Sequence, residues 1–535
     1  MNIYNLLIII CLNVGYIFSS IPNQYTLSNI KLDRHNFSIN GSIASNAVID
    51  IKTANDSIYF FGTAKGLSSA KVTNTDSIIF DYFDKIEMPL GGNPAVTINN
   101  NIIAVSGVKD TSVLTGLEPK GTGLAFSVDY GLNWQYIPQP IDDIPISGQY
   151  HTIEWGNQNL QSLAVTTDIN NVTYDLAIHN NYIYAASWAG GLRRYYIGEL
   201  ENKSNDWEII PLPRDDDFSL KCGQIDSTYY LNPRDPIDNG YHNHKGFSVF
   251  IDNNTIWVGT AAGINKGIIN GDCIDWDNHY TSWINNLSGN WVIGFEIQEL
   301  NNFTKRLWAI TWSADTPGEY NALSYTDDDG ENWSTTQPSG KSEKVYNIFT
   351  NLNKIWASTE SGLYISEDGI YWEKYLQPID YNTNEKLLNV DGEILTSYFS
   401  NNLNWLWVGS SDGIAITNDD GFSWSLHRFY NSVNPNESDY INQLFSVYPN
   451  PFYTSNNYTR FIYYNPDTKN SNIDIFDFSM DKVISLNNIN HINNSQSEII
   501  WNGRNEYGDI VSNGIYFCRV LINNKYYWTK VAIIN

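Results

Sequence analysis

The sequence predicts an all-β protein, a seven-bladed β-propeller followed by a small β-sandwich. Three observations support this prediction: a strand pattern that returns seven times, a turn motif that returns four times, and a terminal segment without that periodicity. Aromatic residues make up 14% of the chain and charged residues only 17%, which favours sheets over helices. A chain of 535 residues is too long for one compact domain unless a repeat extends it.

The strand pattern is an apolar residue, an aromatic residue, small residues, Thr or Ser, and then Gly with an apolar residue. An apolar stretch precedes each copy, as at Val48–Ile51, and another follows, as at Trp207–Ile210, so each repeat holds four strands. Four short strands repeated at about 40–50 residues are typical of a propeller. The copies that set the blade number are Phe60–Leu67, Ile102–Gly107, Ile183–Leu192, Ile256–Ile264, Leu307–Trp312, Ile355–Leu363 and Leu406–Ile414.

A second repeat places a hydroxyl residue, an acidic residue, a glycine and a tryptophan in fixed order. Asp or Ser can bond its own backbone around a turn, Gly supplies positive φ, and Trp fixes the turn to the next strand. This chemistry predicts hairpin turns. The copies are SVDYGLNW at Ser127–Trp134, TDDDGENW at Thr326–Trp333, SEDGIYW at Ser366–Trp372 and TNDDGFSW at Thr417–Trp424.

The turn motif resembles the Asp-box, or BNR repeat, of sialidase-like and sortilin-like β-propellers. The resemblance implies that each turn joins the third and fourth strands of a blade, and it leaves the ligand open. Turns after the second strand and connections between blades lie on the opposite face. We expect the long insertions to gather on that second face, where function usually concentrates: Val108–Gly121, Pro138–Val172, Leu212–Gly246 and Ser313–Tyr320.

The first 20 residues, MNIYNLLIIICLNVGYIFSS, predict a secretory signal peptide because an apolar run ends in Ser19 and Ser20. The propeller is then expected over residues 21–430. No later stretch approaches the ~18 apolar residues of a transmembrane helix. The formal net charge of −27 argues against nucleic acid and anionic membranes as partners. We therefore expect a protein that is secreted or attached to the outer-membrane surface.

Cysteine spacing adds little to this prediction. We place Cys222 in an insertion after the third blade and Cys273 in a turn of the fourth, at opposite ends of their blades, so a disulfide between them is the less favoured arrangement. Zinc-ligand spacing is absent, and the H-x-H of YHNHKG is more typical of hydrogen-bonded surface. We predict no metal site and no cofactor.

The periodicity stops after Trp424, and residues 431–442 form a polar linker. Residues 443–535 alternate apolar segments with turn residues, which predicts a β-sandwich. This segment is similar to the C-terminal sorting domains of type IX secretion substrates and to FlgD-like immunoglobulin domains in YPNPF, Trp501–Gly508, Ser512–Tyr516 and Thr529–Val531. The resemblance implies an immunoglobulin-like β-sandwich that an outer-membrane translocon recognises. The ending AIIN lacks a basic residue, which leaves cleavage open, and a plain spacer is the alternative.

Two tryptophans break the strand repeat at one position, Trp188 in the third copy and Trp312 in the fifth. Both flank the small turn of blade four on the insertion face, so we predict a groove between their rings. Paired aromatic faces with polar groups between them suit a glycan or an extended peptide. The alternative is that both rings only pack beneath the insertions. The other predicted ligand-binding residues are Trp291, His244, Lys245 and Arg193.

A glycosidase acting on extracellular polysaccharide is the second hypothesis. Sialidases resemble the chain in their turns, but their arginine triad and Phe-Arg-Ile-Pro-type start are absent here. Other glycosidases need two carboxylates roughly 5–9.5 Å apart. Acidic residues in suitable loops are Glu154, Asp235, Asp315 and Glu319. A binding propeller ranks first, an enzyme second and a structural surface protein third.

Overall fold

A computed structural model describes most of the chain from residue 43 onward. The described residues are 43–74, 77–114, 116–142, 146–198, 206–300, 304–314, 316–351, 354–375, 377–379, 387, 392–428, 445–448, 450–454, 459–465, 472–487, 495–522 and 525–534. The predicted signal peptide at 1–20, the linker at 431–442 and Asp315 lie outside the described residues. No helix in these described ranges is long and apolar enough to cross a membrane.

Seven four-stranded antiparallel sheets, each with its strands in chain order, are present among the described residues. The first two consist of β1 (Val48–Thr53), β2 (Ile58–Thr63), β3 (Gly66–Asn74), β4 (Ser77–Tyr82), β5 (Val96–Asn99), β6 (Ile102–Val113), β7 (Gly116–Ser127) and β8 (Gln135–Ile137). A hairpin of β9 (Tyr150–Trp155) and β10 (Gln158–Leu163) precedes the third sheet of β11 (Thr173–His179), β12 (Tyr182–Ser187), β13 (Gly191–Tyr196) and β14 (Glu208–Ile210).

The short strand β15 (Tyr230–Leu231) precedes the fourth sheet of β16 (Gly246–Asp252), β17 (Thr255–Thr260), β18 (Gly263–Asn270) and β19 (Cys273–Tyr280). Helix α1 (Ser282–Asn285) precedes the fifth sheet of β20 (Trp291–Glu299), β21 (Lys305–Trp312), β22 (Ala322–Thr326) and β23 (Ser334–Thr336). The last two sheets consist of β24 (Val345–Asn351), β25 (Lys354–Thr359), β26 (Gly362–Ser366), β27 (Glu373–Lys374), β28 (Thr396–Ser400), β29 (Trp405–Ser410), β30 (Gly413–Thr417) and β31 (Ser425–His427).

The first strands of these sheets form a ring. Each first strand contacts the first strand of the next sheet, and β28 of the seventh sheet contacts β1 of the first. Side chains on the first strands join neighbouring sheets: Val96 N donates to Asp50 Oδ2 at 3.3 Å, and Val249 N donates to Asp175 Oδ2 at 2.9 Å. These bonds satisfy backbone groups that the sheets leave unpaired. The chain is therefore an all-β protein with a propeller fold.

The second strands supply most of the propeller core. They carry the aromatic residues of the repeat, and Trp308, Trp356 and Trp407 are at most 2% exposed. Tyr59 of the first sheet stacks on Trp407 of the seventh, with ring centroids 4.3 Å apart. The same repeated side chains therefore fill each sheet interface, including the one that joins the last sheet to the first.

The four Asp-containing turns lie between the third and fourth strands of the second, fifth, sixth and seventh sheets. In the first turn, Ser127 Oγ accepts the Gly131 N–H and Asp129 Oδ1 accepts the Asn133 N–H, each at 2.8 Å. The Trp134 indole N–H donates to Gly131 O at 2.9 Å. Hydrogen bonds to the carboxylate, above all from the Asn133 backbone, lower the pKa of Asp129 to about 2. The polar groups of the turn therefore find their partners within the turn.

Cys222 and Cys273 form a disulfide with Cα atoms 6.1 Å apart, so the expectation that they stay unpaired is wrong. The reason is the path of the insertion after β14. It runs along the outer strand β19, where Leu220 and Trp276 exchange both backbone hydrogen bonds at 3.0 Å, and reaches the turn between β18 and β19. The insertions therefore cover the side of the fourth sheet, which corrects the expectation that they gather on one face alone.

The hairpin β9–β10 follows the same side of the ring. Gly156, in its turn, has φ of 56°, and a Cβ at this position would collide with Cys222 Sγ. Strand β10 pairs in parallel with β15, which belongs to the same insertion as Cys222. The Arg194 guanidinium, from β13, lies 5.4 Å from the Trp155 ring centroid. The hairpin is therefore anchored by the disulfide at its turn and by the third sheet along its length.

The C-terminal region contains a three-stranded and a five-stranded sheet that share one apolar core. Trp501 lies in this core, with ring centroids 5.8 Å from Phe452 and 5.7 Å from Tyr516. The strands are β32 (Phe445–Tyr448), β33 (Phe452–Tyr453), β34 (Thr459–Asn465), β35 (Asn472–Phe476), β36 (Lys482–Asn487), β37 (Ser495–Trp501), β38 (Gly514–Ile522) and β39 (Lys525–Ile534).

A buried ion-pair network connects this region to the seventh propeller sheet. Arg460 of β34 is fully buried and lies 3.3 Å from Asp412 Oδ1. Asp412 Oδ2 lies 3.0 Å from the guanidinium of Arg428, which follows β31. Because an uncompensated buried charge is costly, the shared carboxylate links the two regions.

Candidate functional site

A cavity of about 450 Å³ lies where the insertions meet the third and fourth sheets. Its walls come from the ends of the β9–β10 hairpin, the turn after β12 and the segment between β15 and β16. Known ligand sites span about 300–1,000 Å³, so the cavity is large enough for a small ligand. Two of its lining side chains, those of Arg234 and Lys245, are cationic, and none is acidic. The lining residues are Ser147, Gly148, Val165, Asn170, Trp188, Ala189, Pro233, Arg234 and Lys245.

Trp188 forms the aromatic wall of this cavity. It follows the last residue of β12, at a position where most other copies of the repeat have a small residue, so its ring stands in the turn and not in the sheet. The half-buried ring packs against Phe247 at 5.1 Å and meets Trp291 in a T-shaped contact at 6.1 Å. Within the described residues no acceptor is bonded to its indole N–H. The ring is thus fixed by its neighbours while its N–H stays available.

Lys245 provides a buried positive charge next to this ring. The residue is 6% exposed, and Nζ lies 4.9 Å from the Trp188 ring centroid and 3.3 Å from His242 Nδ1. No described carboxylate lies within ion-pair distance of it. Burial lowers the pKa of Lys245, while the fields of Asp235 and Asp215 oppose this shift. A lysine in this position gains stability from any anion that enters the cavity.

Arg234 and Asn170 complete the polar lining. Arg234 is exposed and makes no ion pair with any described residue. Asn170 has φ of 56° in the segment before β11, and its side-chain oxygen Oδ1 is buried without a hydrogen-bond partner in the described structure. Buried polar atoms without a partner are rare and point to a missing water or ligand. The cavity therefore offers two cations, one free N–H and one free acceptor.

Arg193 and His244, both predicted to bind ligand, lie behind the cavity wall and position it. Arg193 pairs with Asp142 Oδ1 at 2.6 Å and donates to Gly190 O at 3.2 Å, which joins the insertion to the turn that carries Trp188. His244 Nδ1 accepts the Asn232 N–H at 3.0 Å, and burial lowers the pKa of His244 to about 4. His244 is therefore neutral at ordinary pH and holds the segment that precedes Lys245.

The structure does not place the Trp312 ring on a groove wall. Trp312 is 1% exposed, and its indole N–H donates to Val345 O at 2.8 Å. Trp291 pairs with Trp312 across β20 and β21, and its half-buried ring leans toward Trp188. The groove predicted between Trp188 and Trp312 is thus replaced by a cavity that has Trp188 on one side and insertion loops on the other.

Three of the four predicted carboxylates are described, and none of these three lines the cavity. Asp235 Oδ1 accepts the Ile237 N–H at 3.0 Å and caps a short 3₁₀ turn. Glu319 accepts from Ser282 Oγ at 2.7 Å and from the Ala314 N–H at 2.6 Å, so it joins two loops. Glu154 is exposed on β9. Asp235 therefore caps a turn and Glu319 joins two loops, and both carboxylates are already engaged outside the cavity.

Sequence reasoning missed Arg234 and Asn170. Both lie in insertions that have no repeat pattern, in the strings LNPRD and DINNV, where polar residues normally indicate a turn. The only signal at Asn170 was a double Asn, which is typical of positive φ and says nothing of a ligand. The structure identifies both residues because the insertions fold back onto one turn of the third sheet.

No protein-family model and no curated protein matches the chain. Several solved structures are similar to it at low identity. PorZ, an essential bacterial surface component of the type IX secretion system of Porphyromonas gingivalis, matches at 12% identity and a TM-score of 0.38, over 90% of this chain and 64% of PorZ. This chain thus spans less than two thirds of the length of PorZ.

Two propeller structures match over a smaller part of the chain. YCF48 bound to D1 peptide matches at 13% identity and a TM-score of 0.39, over 71% of this chain and 95% of that one. The WD40 β-propeller domain of Doa1 matches at 12% identity and a TM-score of 0.37, over 71% of this chain and 94% of that one. These likenesses are distant, so the site is assigned from the residues of this chain alone.

Proposed function

We propose that this protein is a secreted or cell-surface β-propeller that binds a glycan or peptide ligand. The observation that supports the proposal best is the cavity beside Trp188, where Lys245 is buried without an ion-pair partner among the described residues. Such a charge is costly unless something compensates it. A cavity with an aromatic wall and a few free polar groups has the composition of a ligand site.

The domain assignment is part of the same proposal. The seven four-stranded sheets are the blades of one propeller over residues 21–430, and residues 443–535 form an immunoglobulin-like sorting domain read by a type IX-like translocon. The ring of first strands supports the first assignment. The shared core of the two C-terminal sheets and the sequence motifs at Trp501–Gly508 and Ser512–Tyr516 support the second.

Binding is tested by applying the mature protein to glycan and peptide arrays, together with Trp188→Ala. The proposal expects at least one ligand class whose signal is lost in Trp188→Ala while the melting temperature stays close to wild type. Tyr371→Ala is the matched control, because this exposed aromatic residue lies in an Asp-containing turn away from the cavity lining. Absence of any ligand, or equal binding by all three proteins, would contradict a binding function at this cavity.

Export is tested by deleting residues 443–535 and following the protein by cell fractionation. The truncated protein should stay in the periplasm. Arrival of the truncated protein at the cell surface would show that the C-terminal region is a spacer. Because the deletion also removes the Arg460–Asp412 contact, Arg460→Met in the full chain serves as the control that disturbs the contact and keeps the sorting motifs.

A further inference from the structure

We infer that the cavity beside Trp188 and Lys245 binds a carboxylate-bearing sugar, a hexuronate residue of an acidic polysaccharide; this inference rests on the proposed binding function. It specifies the charge and the class of the ligand, which the fold and the repeats leave open.

The buried charge of Lys245 has no close counter-charge among the described residues. Lys245 is 6% exposed, and among the described residues its ammonium has only His242 Nδ1 and the Trp188 ring as close partners. Neither neutralises it. Asp215, one of the two carboxylates that act on it from a distance, already accepts the backbone N–H of Asn243 at 2.7 Å. An anion in the cavity would supply the missing counter-charge.

Arg234 supplies a second cation in the same cavity. Arg234 lines the same cavity and makes no ion pair with any described residue. A guanidinium matches both oxygens of a carboxylate in a planar, two-bond geometry. A buried ammonium and a rim guanidinium around one cavity, in a chain with a net charge of −27, are a local reversal of the overall charge.

Asn170 and Trp188 favour a sugar over other carboxylates. Asn170 Oδ1 is a buried acceptor without a partner in the described part of the chain, and a carboxylate cannot satisfy it because both groups only accept. A hydroxyl both donates and accepts, so it can bond Asn170 Oδ1 and also accept the Trp188 indole N–H. The Trp188 ring offers the flat apolar surface on which a pyranose face packs. A hexuronate carries the carboxylate, the hydroxyls and the apolar face in one residue.

The salt dependence of binding should differ from that of adsorption to surface charges. The net charge of −27 repels an acidic polymer at long range, and salt screens this repulsion over a Debye length of about 8–10 Å. The contact with Lys245 is buried and therefore screened much less. Affinity should stay constant or rise as salt increases, whereas adsorption to exposed lysines should weaken.

The experiment is calorimetric titration of the full mature chain with trigalacturonate and with its fully methyl-esterified form. The ester keeps the length, the rings and the hydroxyls and removes only the charges. We expect the acid to bind roughly tenfold or more tightly than the ester, since hydrogen bonds to charged groups are the stronger ones. Lys245→Met should reduce this difference several-fold without lowering the melting temperature, because it removes a buried charge that lacks an ion-pair partner among the described residues.

Lys344→Met is the matched control. Lys344 Nζ lies 4.7 Å from the Trp312 ring centroid, so this variant also removes a lysine from above a tryptophan, outside the cavity lining. It should bind trigalacturonate as wild type does. Arg234→Gln, at an exposed position, provides a second cavity variant in case Lys245→Met fails to fold. It should weaken the binding of the acid more than the binding of the ester.

Three outcomes would overturn the inference. Equal binding of acid and ester would show that the cavity does not recognise a carboxylate, and it would leave the proposed binding function intact. Binding of a peptide through its free terminal carboxylate, with loss on amidation and no response to trigalacturonate, would identify a peptide site. Absence of any ligand in the arrays and in the titrations would remove the binding function as well.

Discussion

Two Lys–Trp pairs occupy equivalent positions of the repeat and have different surroundings. Trp188 and Trp312 each directly follow the last Ser or Thr of a second strand, Ser187 in β12 and Thr311 in β21, and Lys245 and Lys344 each precede the first strand of the next sheet. The Nζ-to-ring distances are 4.9 Å and 4.7 Å. The backbone is also equivalent: Lys245 O accepts the Ala261 N–H, and Lys344 O accepts the corresponding N–H of the sixth sheet, each at 3.1 Å.

The difference lies in what surrounds each pair. Trp312 is 1% exposed, and its indole N–H is hydrogen-bonded. Burial, and to a smaller extent nearby acidic side chains, raise the pKa of the adjacent Tyr346. Trp188 is half-buried, its N–H has no partner in the described structure, and insertion loops line an open cavity beside it. The repeat therefore fixes where a Lys–Trp pair stands, and the insertions decide whether the pair becomes a site.

Replacing each tryptophan with Ala is expected to separate core from site most strongly. Trp312→Ala removes a fully buried ring and should cost about 3–5 kcal/mol of unfolding free energy. Trp188→Ala should cost clearly less, because the ring is half-buried, and should abolish ligand binding. Urea unfolding of both variants measures the difference. Equal losses of stability would break the comparison and make Trp188 a core residue.

Removing the disulfide should have the next largest effect. Cys222→Ser together with Cys273→Ser opens a crosslink between residues 51 apart and should cost about 2–4 kcal/mol. Binding should weaken several-fold, because the freed insertion forms part of the cavity wall, as measured by titration under conditions where the variant is folded. Cys518→Ala, which removes a buried sulfur from the C-terminal core, should leave binding unchanged. Unchanged binding in the double variant would mean that the cavity does not depend on the tethered insertion.

A smaller effect on stability is expected from pH. It should come from the ring of first strands and not from the cavity. Burial raises the pKa of Glu296 and of Asp175 to about 7, against the opposing field of Lys52. Both residues lie on first strands of the ring of sheets, and both act on Lys52, which lies on the first strand of the first sheet. Because the native state holds more protons than the unfolded state between about pH 4.5 and 7, these groups make stability fall as pH rises through that window.

Glu296→Gln should therefore reduce the loss of melting temperature between about pH 5 and 8. It keeps an oxygen to accept the Thr350 N–H, which is 3.2 Å from Glu296 Oε1 in the native protein. Trigalacturonate binding by Glu296→Gln should match wild type at each pH. A pH slope identical to wild type would show that Glu296 titrates normally in the folded state.

The sequence allowed most of the propeller strands to be predicted, because each strand repeats with its own aromatic and small residues. It also singled out Trp188 and Lys245, which both line the cavity, because both interrupt or flank that repeat. It did not predict the burial of Trp312 or the Cys222–Cys273 disulfide, since both depend on how the insertions run across the sheets. Arg234 was missed for the same reason: its place at the cavity follows from the parallel pairing of β15 with β10, which no local pattern indicates.

The central claim is that the cavity at Lys245 and Trp188 is the ligand site and that the equivalent pair at Lys344 and Trp312 is not. A crystal structure of the protein with trigalacturonate tests this claim most directly. We predict a carboxylate about 2.7–2.9 Å from Lys245 Nζ, with a hydroxyl bonded to Asn170 Oδ1. A trisaccharide bound at Lys344, or on the face that carries the Asp-containing turns, with the cavity beside Trp188 left to solvent, would contradict it.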